Sequence, residues 1–270
     1  MPPRLGGPVS LLVFVFAFLN SFFNVQFTSP FLPPFMKNLP LFLLAGILLA
    51  APGGAVAQTR QTRPVTPFTG LDVSGAIEVF IRPNAAPSVV VEADEALQRD
   101  IRTEVSGNVL RVYRDGSFKP SRWFRNQRAV KVFVECPELT RLAVSGASKV
   151  TTQGAFVAEA FNLRANGASE VTLQLSVKRL EMEASGASKV RITGSADRQR
   201  VQVSGASEYR GFNCVSKQAE VRASGASNAE VTAAEEVHLH ASGASKVRYR
   251  GNPRVRDVQS SGASDVNAAK

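Results

Sequence analysis

A four-residue signature, Ser-Gly-Ala-Ser or a near copy, recurs through the second half of the chain with its glycine at Gly146, Gly167, Gly186, Gly205, Gly225, Gly243 and Gly262. The intervals are 21, 19, 19, 20, 18 and 19 residues, and Val73-Ser74-Gly75-Ala76-Ile77 is a degenerate earlier copy. A period near twenty marks a solenoid, in which each repeat buries its apolar side only against its neighbours. Around each glycine, apolar and polar residues alternate with period two, which excludes a helical repeat.

The columns that such stacking creates can be read directly. Four residues before the glycine stand Leu142, Leu163, Met182, Val201, Val221, Leu239 and Val258, and two before it Val144, Ala165, Ala184, Val203, Ala223, Ala241 and Ser260. Four after it come Val150, Val171, Val190, Tyr209, Ala229, Val247 and Val266. This predicts two short strands per coil, one on each side of a Gly-Ala corner. Three residues after the glycine the series runs Lys149, Glu170, Lys189, Glu208, Asn228, Lys246, Asp265. Five before it runs Arg141, Asn162, Glu181, Arg200, Glu220, His238, Asp257. Adjacent coils of a parallel stack lie about 4.8 Å apart, where opposite charges contribute roughly 0.2–1 kcal/mol per pair and like charges repel. The alternating signs therefore predict an all-β, single-stranded parallel β-helix, right-handed by the crossover rule. Glycine supplies the positive φ of a sharp corner, and the serines can bond up the stack or to the corner backbone, facing in or out.

Residues 66–141 lack the strict period but hold strand patterns at Ile77–Ile81, Ser88–Val91, Val109–Tyr113 and Val130–Val134, with a short helix or turn at Asp94–Ile101. They are expected to form a β-rich N-terminal cap and the first coils, with the repeat solenoid over 142–270 and a flexible linker over 58–65. Residues 1–57 contain no acidic residue. Met36, Lys37, the apolar run Leu39–Ala50 and Ala55-Val56-Ala57 have the layout of a signal peptide with its start at Met36 and cleavage after Ala57. The earlier apolar stretch, Val9–Phe27, reads as an over-long gene start or as a membrane anchor. Removing 57 residues from 270 leaves a mature chain of 213 with no membrane span of its own, and the loss of Arg4 and Lys37 lowers the net charge from +10 to +8. That balance suits an anionic partner such as an acidic glycan or envelope surface. Export to the periplasm or cell exterior argues against nucleic acid.

The opening "Phe-x-x-Leu-x-Val-Ser-Gly" (Phe68–Gly75), the core "Val-x-Val-x-Cys-Pro-x-Leu-x-x-Leu-x-Val-Ser-Gly-Ala-Ser" (Val132–Ser148) and the Gly-Ala-Ser corners that follow resemble the putative auto-transporter adhesin, head GIN domain family. The resemblance covers essentially all of Thr66–Asp265. It implies a parallel β-helix of bacterial envelope proteins and brings no catalytic residues or cofactor with it.

Among binding candidates, the segment from Arg114 to Arg128 interleaves Arg114, Lys119, Arg122, Arg125 and Arg128 with Phe118, Trp123 and Phe124 against a single acid, Asp115. Arg114, Lys119, Arg122, Trp123, Phe124, Arg125 and Arg128 form the expected anionic-surface contact, through charge and ring stacking. The plain alternative is a connecting hairpin loop with Trp123 packed on the solenoid end. His238 and His240 share one strand face, but two ligands fall short of a zinc site, and His238 is expected as a rung between Glu220 and Asp257. Cys136 and Cys214 lie four coils apart, roughly 19 Å at the strand spacing, too far for a disulfide. A polysaccharide lyase or hydrolase is the rival class, since such enzymes use the same fold. Their clustered carboxylates have no counterpart in acids spread along alternating ladders. A non-catalytic binding or structural module, able to pair at a solenoid end with another copy, is the expectation.

Overall fold

The computed structural model describes residues 59–115 and 130–269. Among these, sixteen strands form one continuous sheet wound into a β-solenoid of about 7 turns. The expected signal region, residues 1–57, lies outside the described residues.

The repeat region runs β9 (Lys149–Ala165), β10 (Glu170–Ala184), β11 (Lys189–Val203), β12 (Glu208–Ala223) and β13 (Asn228–Ala241). Each pairs in parallel with the next, Glu170 with Lys189, Glu181 with Arg200, Glu220 with His238, in the register that the alternating charges require. The expected pair of short strands per coil is instead one run of 14 to 17 residues. The chain keeps extended backbone while it bends, at positions such as Gly194, where φ is +118° and a Cβ would collide with the Leu175 carbonyl oxygen. Each strand ends only at the next corner. β14 (Lys246–Arg250), β15 (Arg254–Ser260) and β16 (Asp265–Ala268) complete the last coil.

At each corner from Gly146 to Gly262 the glycine has φ between 69° and 77°, a region closed to most side chains. The two serines of the signature take opposite roles. Ser148, Ser169, Ser188, Ser207, Ser227 and Ser245 are at most 1% exposed, whereas Ser145, Ser185, Ser204, Ser224 and Ser242 reach the surface. The buried hydroxyl donates back to the carbonyl three residues earlier, Ser188 to Ser185 at 2.8 Å and Ser245 to Ser242 at 2.8 Å, which satisfies the corner backbone from inside.

The three apolar columns fill the interior, with Leu163, Val201, Val221 and Leu239 at 0–1% exposure. Each such burial contributes about 1.5–3 kcal/mol. In the repeat coils a buried polar chain is paired from end to end. The Tyr209 hydroxyl donates to Gln199 at 3.1 Å, Gln199 donates to Ser216 at 2.7 Å, and Ser216 to the Thr232 carbonyl at 3.0 Å.

The N-terminal strands stack out of chain order. β2 (Gly70–Val73) and β3 (Ile77–Pro83) flank the corner at Gly75 and lie directly against β8 (Arg141–Val144) and β9. β6 (Val109–Arg114) and β7 (Val130–Cys136), later in the chain, pair with the far side of β2 and β3 and so form the outermost coil. Antiparallel strands finish this end. β4 (Ser88–Ala93) covers β7, β5 (Ile101–Ser106) covers β6, and a single helical turn, α1 (Glu95–Gln98), joins them. The stretch expected as a linker contains β1 (Thr59–Arg63), antiparallel to β4. Arg60 pairs with Glu92 at 2.6 Å and lies 5.5 Å over the Phe133 ring, and Arg63 donates to the Gln98 carbonyl at 2.9 Å. An edge strand needs no buried face, so its polar sequence carries no apolar signal.

Candidate binding face and basic segment

The strands that precede each corner present one outward face. Its middle column is Glu183, Gln202, Arg222, His240 and Gln259, each opposite the next in the parallel ladder. Beside it run the outward serines Ser204, Ser224, Ser242 and Ser261, and together they line a groove of about 780 Å³. A second groove of about 310 Å³ lies on the same face, between Arg141, Asn162, Arg164, Glu181 and Arg200. Strand periodicity makes this surface: with every second residue committed to the narrow core, the residues between repeat from coil to coil at the strand spacing.

The charges here are tied to one another. Glu220 takes Arg200 at 2.9 Å and Arg222 at 2.5 Å, and Arg164 pairs with Glu183 at 3.5 Å. His238 holds its expected register between Glu220 and Asp257, but its Nε2 meets Glu236 of its own strand at 2.9 Å. Two arginines already occupy Glu220. His240, the diagonal neighbour, meets Asp257 at 3.1 Å. Hydrogen bonds from His238, and then from Arg256, hold the Glu236 carboxyl below the usual carboxylate range. Among the described residues no three His, Cys, Asp or Glu side chains are grouped to hold a metal ion.

A third ladder escaped the sequence reading. Lys178 meets Glu159 at 2.6 Å and Lys217 meets Asp197 at 2.8 Å. The hydrogen bond between the latter two lowers the Asp197 carboxyl and raises the Lys217 ammonium. Counted backward from the following glycine, the column stands at a constant eight residues: Glu159, Lys178, Asp197, Lys217, Glu235, Arg254, strictly alternating in sign. Counted forward it drifts, because irregularities such as those at Arg191/Gly194 and Gly211/Val215 insert residues into single coils. Beside it the exposed Val157 and Val215 line a groove of about 680 Å³.

Of the basic segment, Arg114 ends β6; Lys119, Arg122, Trp123, Phe124, Arg125 and Arg128 lie outside the described residues. β6 and β7 stack on β2 and β3, and those are joined by the short corner Ser74-Gly75-Ala76. A Cβ on Gly75 would lie 2.8 Å from Arg114 Cβ, so Arg114 stands at the corner column. Cys136 and Cys214 are both free and buried, on β7 and β12, with β3, β9, β10 and β11 between them, so they stand five ladder steps apart rather than the expected four, because β7 stacks outside β3. Burial pushes their thiols up to about 12 and about 11.

Solved structures share this architecture. One is described as a putative adhesin of Bacteroides fragilis: 17% identity, 78% of this chain and 97% of that one, TM-score 0.73. A putative lipid binding protein of Parabacteroides distasonis aligns over 80% and 98% at 18% identity with a TM-score of 0.61. A putative adhesin of Parabacteroides merdae does so over 80% and 98% at 16% identity and 0.64. No curated protein matches the sequence. Among the described residues no helix is long and apolar enough to cross a membrane, which says nothing of a β-barrel. The family model whose description is "Putative auto-transporter adhesin, head GIN domain" matches residues 67–253, and with its Gly-Ala-Ser corners stacked as described, the chain belongs to that family.

Proposed function

We propose that the chain is an exported, non-catalytic binding module of the bacterial envelope, periplasmic or at the cell surface, that engages an anionic glycan through the basic segment 114–128. The observation that carries this reading is the position of the segment's flanks. Other coils turn the corner in a few residues, whereas in the terminal coil β6 ends at Arg114 and β7 begins at Val130, and the intervening sequence holds four further cations with Phe118, Trp123 and Phe124. A long excursion set on a rigid scaffold is the usual way to build a recognition loop. Guanidinium groups and indole suit carboxylated or sulfated sugars through charge and stacking. The leader-like residues 1–57, the charge of +8 that remains without them and the family membership support export and an anionic partner.

The ionisation pattern supports a non-catalytic role over a lyase or hydrolase. A carboxylic acid that protonates a leaving group needs its pKa raised toward neutrality. Glu135, Asp197 and Glu236 are each held in the opposite direction, below the ordinary carboxylate range, by hydrogen-bonded partners. The test is retention on an immobilised anionic polysaccharide, with anionic liposomes in parallel. Retention on the polysaccharide that falls with salt and is lost in the Arg122→Ala, Trp123→Ala double variant is expected. Unchanged retention in the variant, or binding to liposomes alone, overturns the glycan assignment.

A further inference from the structure

The two ends of the solenoid differ. The N-terminal end is closed by antiparallel strands, and its outermost strand is the wholly polar Thr59-Arg60-Gln61-Thr62-Arg63. At the C-terminal end β15 pairs with β13 and β16 with β14, and among the described residues neither has a second neighbour. The apolar columns run out into this edge. Val255 continues the column of Val237, and Val258 that of Leu239, yet both valines are 46% exposed where their predecessors are 0%. A row of free backbone donors and acceptors beside uncovered core residues is a template for another strand.

We propose that this open coil pairs with the same coil of a second copy, β15 against β15 in antiparallel sense, to give a closed two-fold dimer. The pattern of β15 is self-complementary in that arrangement. The antiparallel register that sets Arg256 of one copy opposite Asp257 of the other also sets Val255 opposite Val258. Val255 and Val258, three residues apart, both stand opposite buried core residues, Val237 and Leu239, because β15 carries one extra residue between the partners of Val237 and His238. Opposite charges therefore meet in the same register that buries apolar against apolar. Arg256 is already held by Glu236 at 3.1 Å and Asp257 by His240 at 3.1 Å, so each presents its charge at the edge in a defined place. A second copy fits better by its C-terminal end than by its N-terminal one. Head-to-tail stacking needs a parallel edge, and the N-terminal end offers an antiparallel strand with two arginines. An isologous contact also closes on itself, whereas a head-to-tail contact propagates into fibres.

The experiment is sedimentation equilibrium of the full chain, with cysteine cross-linking. A dimer that dissociates on dilution is expected, as is a monomer of unchanged β-sheet circular dichroism for the Val255→Lys, Val258→Lys variant. Under mild oxidation an Arg256→Cys chain mixed with an Asp257→Cys chain should join through a disulfide, and an Arg60→Cys chain should not. The cross-link decides the matter even where the lysine variant fails to fold. A monomer at every concentration, an open-ended series of higher oligomers, a dimer indifferent to the lysines, or joining through Arg60→Cys alone would each overturn the proposal.

Discussion

The carbonyl oxygen of Gly146 accepts a hydrogen bond from the Ala168 amide at 2.8 Å, and a Cβ placed on Gly167 would sit 2.6 Å from that same oxygen. The relationship repeats up the corner column, with Ala187 to Gly167 and Ala206 to Gly186 at 2.7 Å. From Gly167 to Gly262 each corner glycine thus answers two demands, a left-handed backbone and an approach between coils that leaves no room for a side chain.

The two demands can be separated. Gly107 has φ +60° and no atom within 4 Å of where a Cβ would stand, whereas Gly186 has φ +76° and a backbone oxygen at 2.6 Å. Gly107→Ala should lose only the left-handed penalty, about 1–2 kcal/mol. Gly186→Ala should lose that and at least about 1 kcal/mol more for the displaced coil. Denaturant midpoints of the two variants measure the difference; equal losses would show that coil spacing places no limit on the corner.

Acid should weaken the fold through its outward ladders. Hydrogen bonds from Asn84 and Arg82 lower Glu135, Lys217 lowers Asp197, and His238 lowers Glu236. A carboxylate whose folded pKa is depressed adds stability that is fully present above its unfolded pKa, about 4, and is lost as pH falls through the folded value. Melting temperature should therefore hold steady from neutral pH to about pH 5 and decline below about pH 4. Asp197→Asn together with Glu236→Gln should flatten that decline, and added salt should shrink it. A decline of the same slope in the double variant would place the acid sensitivity elsewhere.

The thiols act in the opposite direction. With folded values near 12 and 11 for Cys136 and Cys214, both stay protonated in the fold, while the unfolded chain ionises them above about pH 8.5. Their contribution is whole below that pH and is lost as pH rises toward the folded values. Native protein should resist a thiol-specific reagent, unfolded protein should react at two sites, and oxidation should yield no bond between Cys136 and Cys214. Rapid labelling of the native chain, or an intramolecular disulfide by mass spectrometry, would contradict the burial and the register together.

The corner spacing and the alternation around it are local properties, and they were enough to specify the parallel register. Lys149 meets Glu170 at 3.5 Å and Lys246 meets Asp265 at 3.7 Å as the column of signs requires. The third ladder was equally present in the sequence but displaced by the bulges on its N-terminal side, and it is recovered only from the following glycine. Which serine turns inward could not be read, because both belong to one turn and only the closed coil gives that turn an inside.

By itself, then, the amino-acid order determined the solenoid class, the coil length and the three inward columns, since each depends on residues within about twenty positions. Tertiary structure alone decided that β6 and β7 lie outside β2 and β3, that Thr59–Arg63 becomes an edge strand, and that His238 turns to Glu236. Those outcomes depend on competition among distant segments for the same sheet edge or the same carboxylate, and no repeat in the chain encodes who wins.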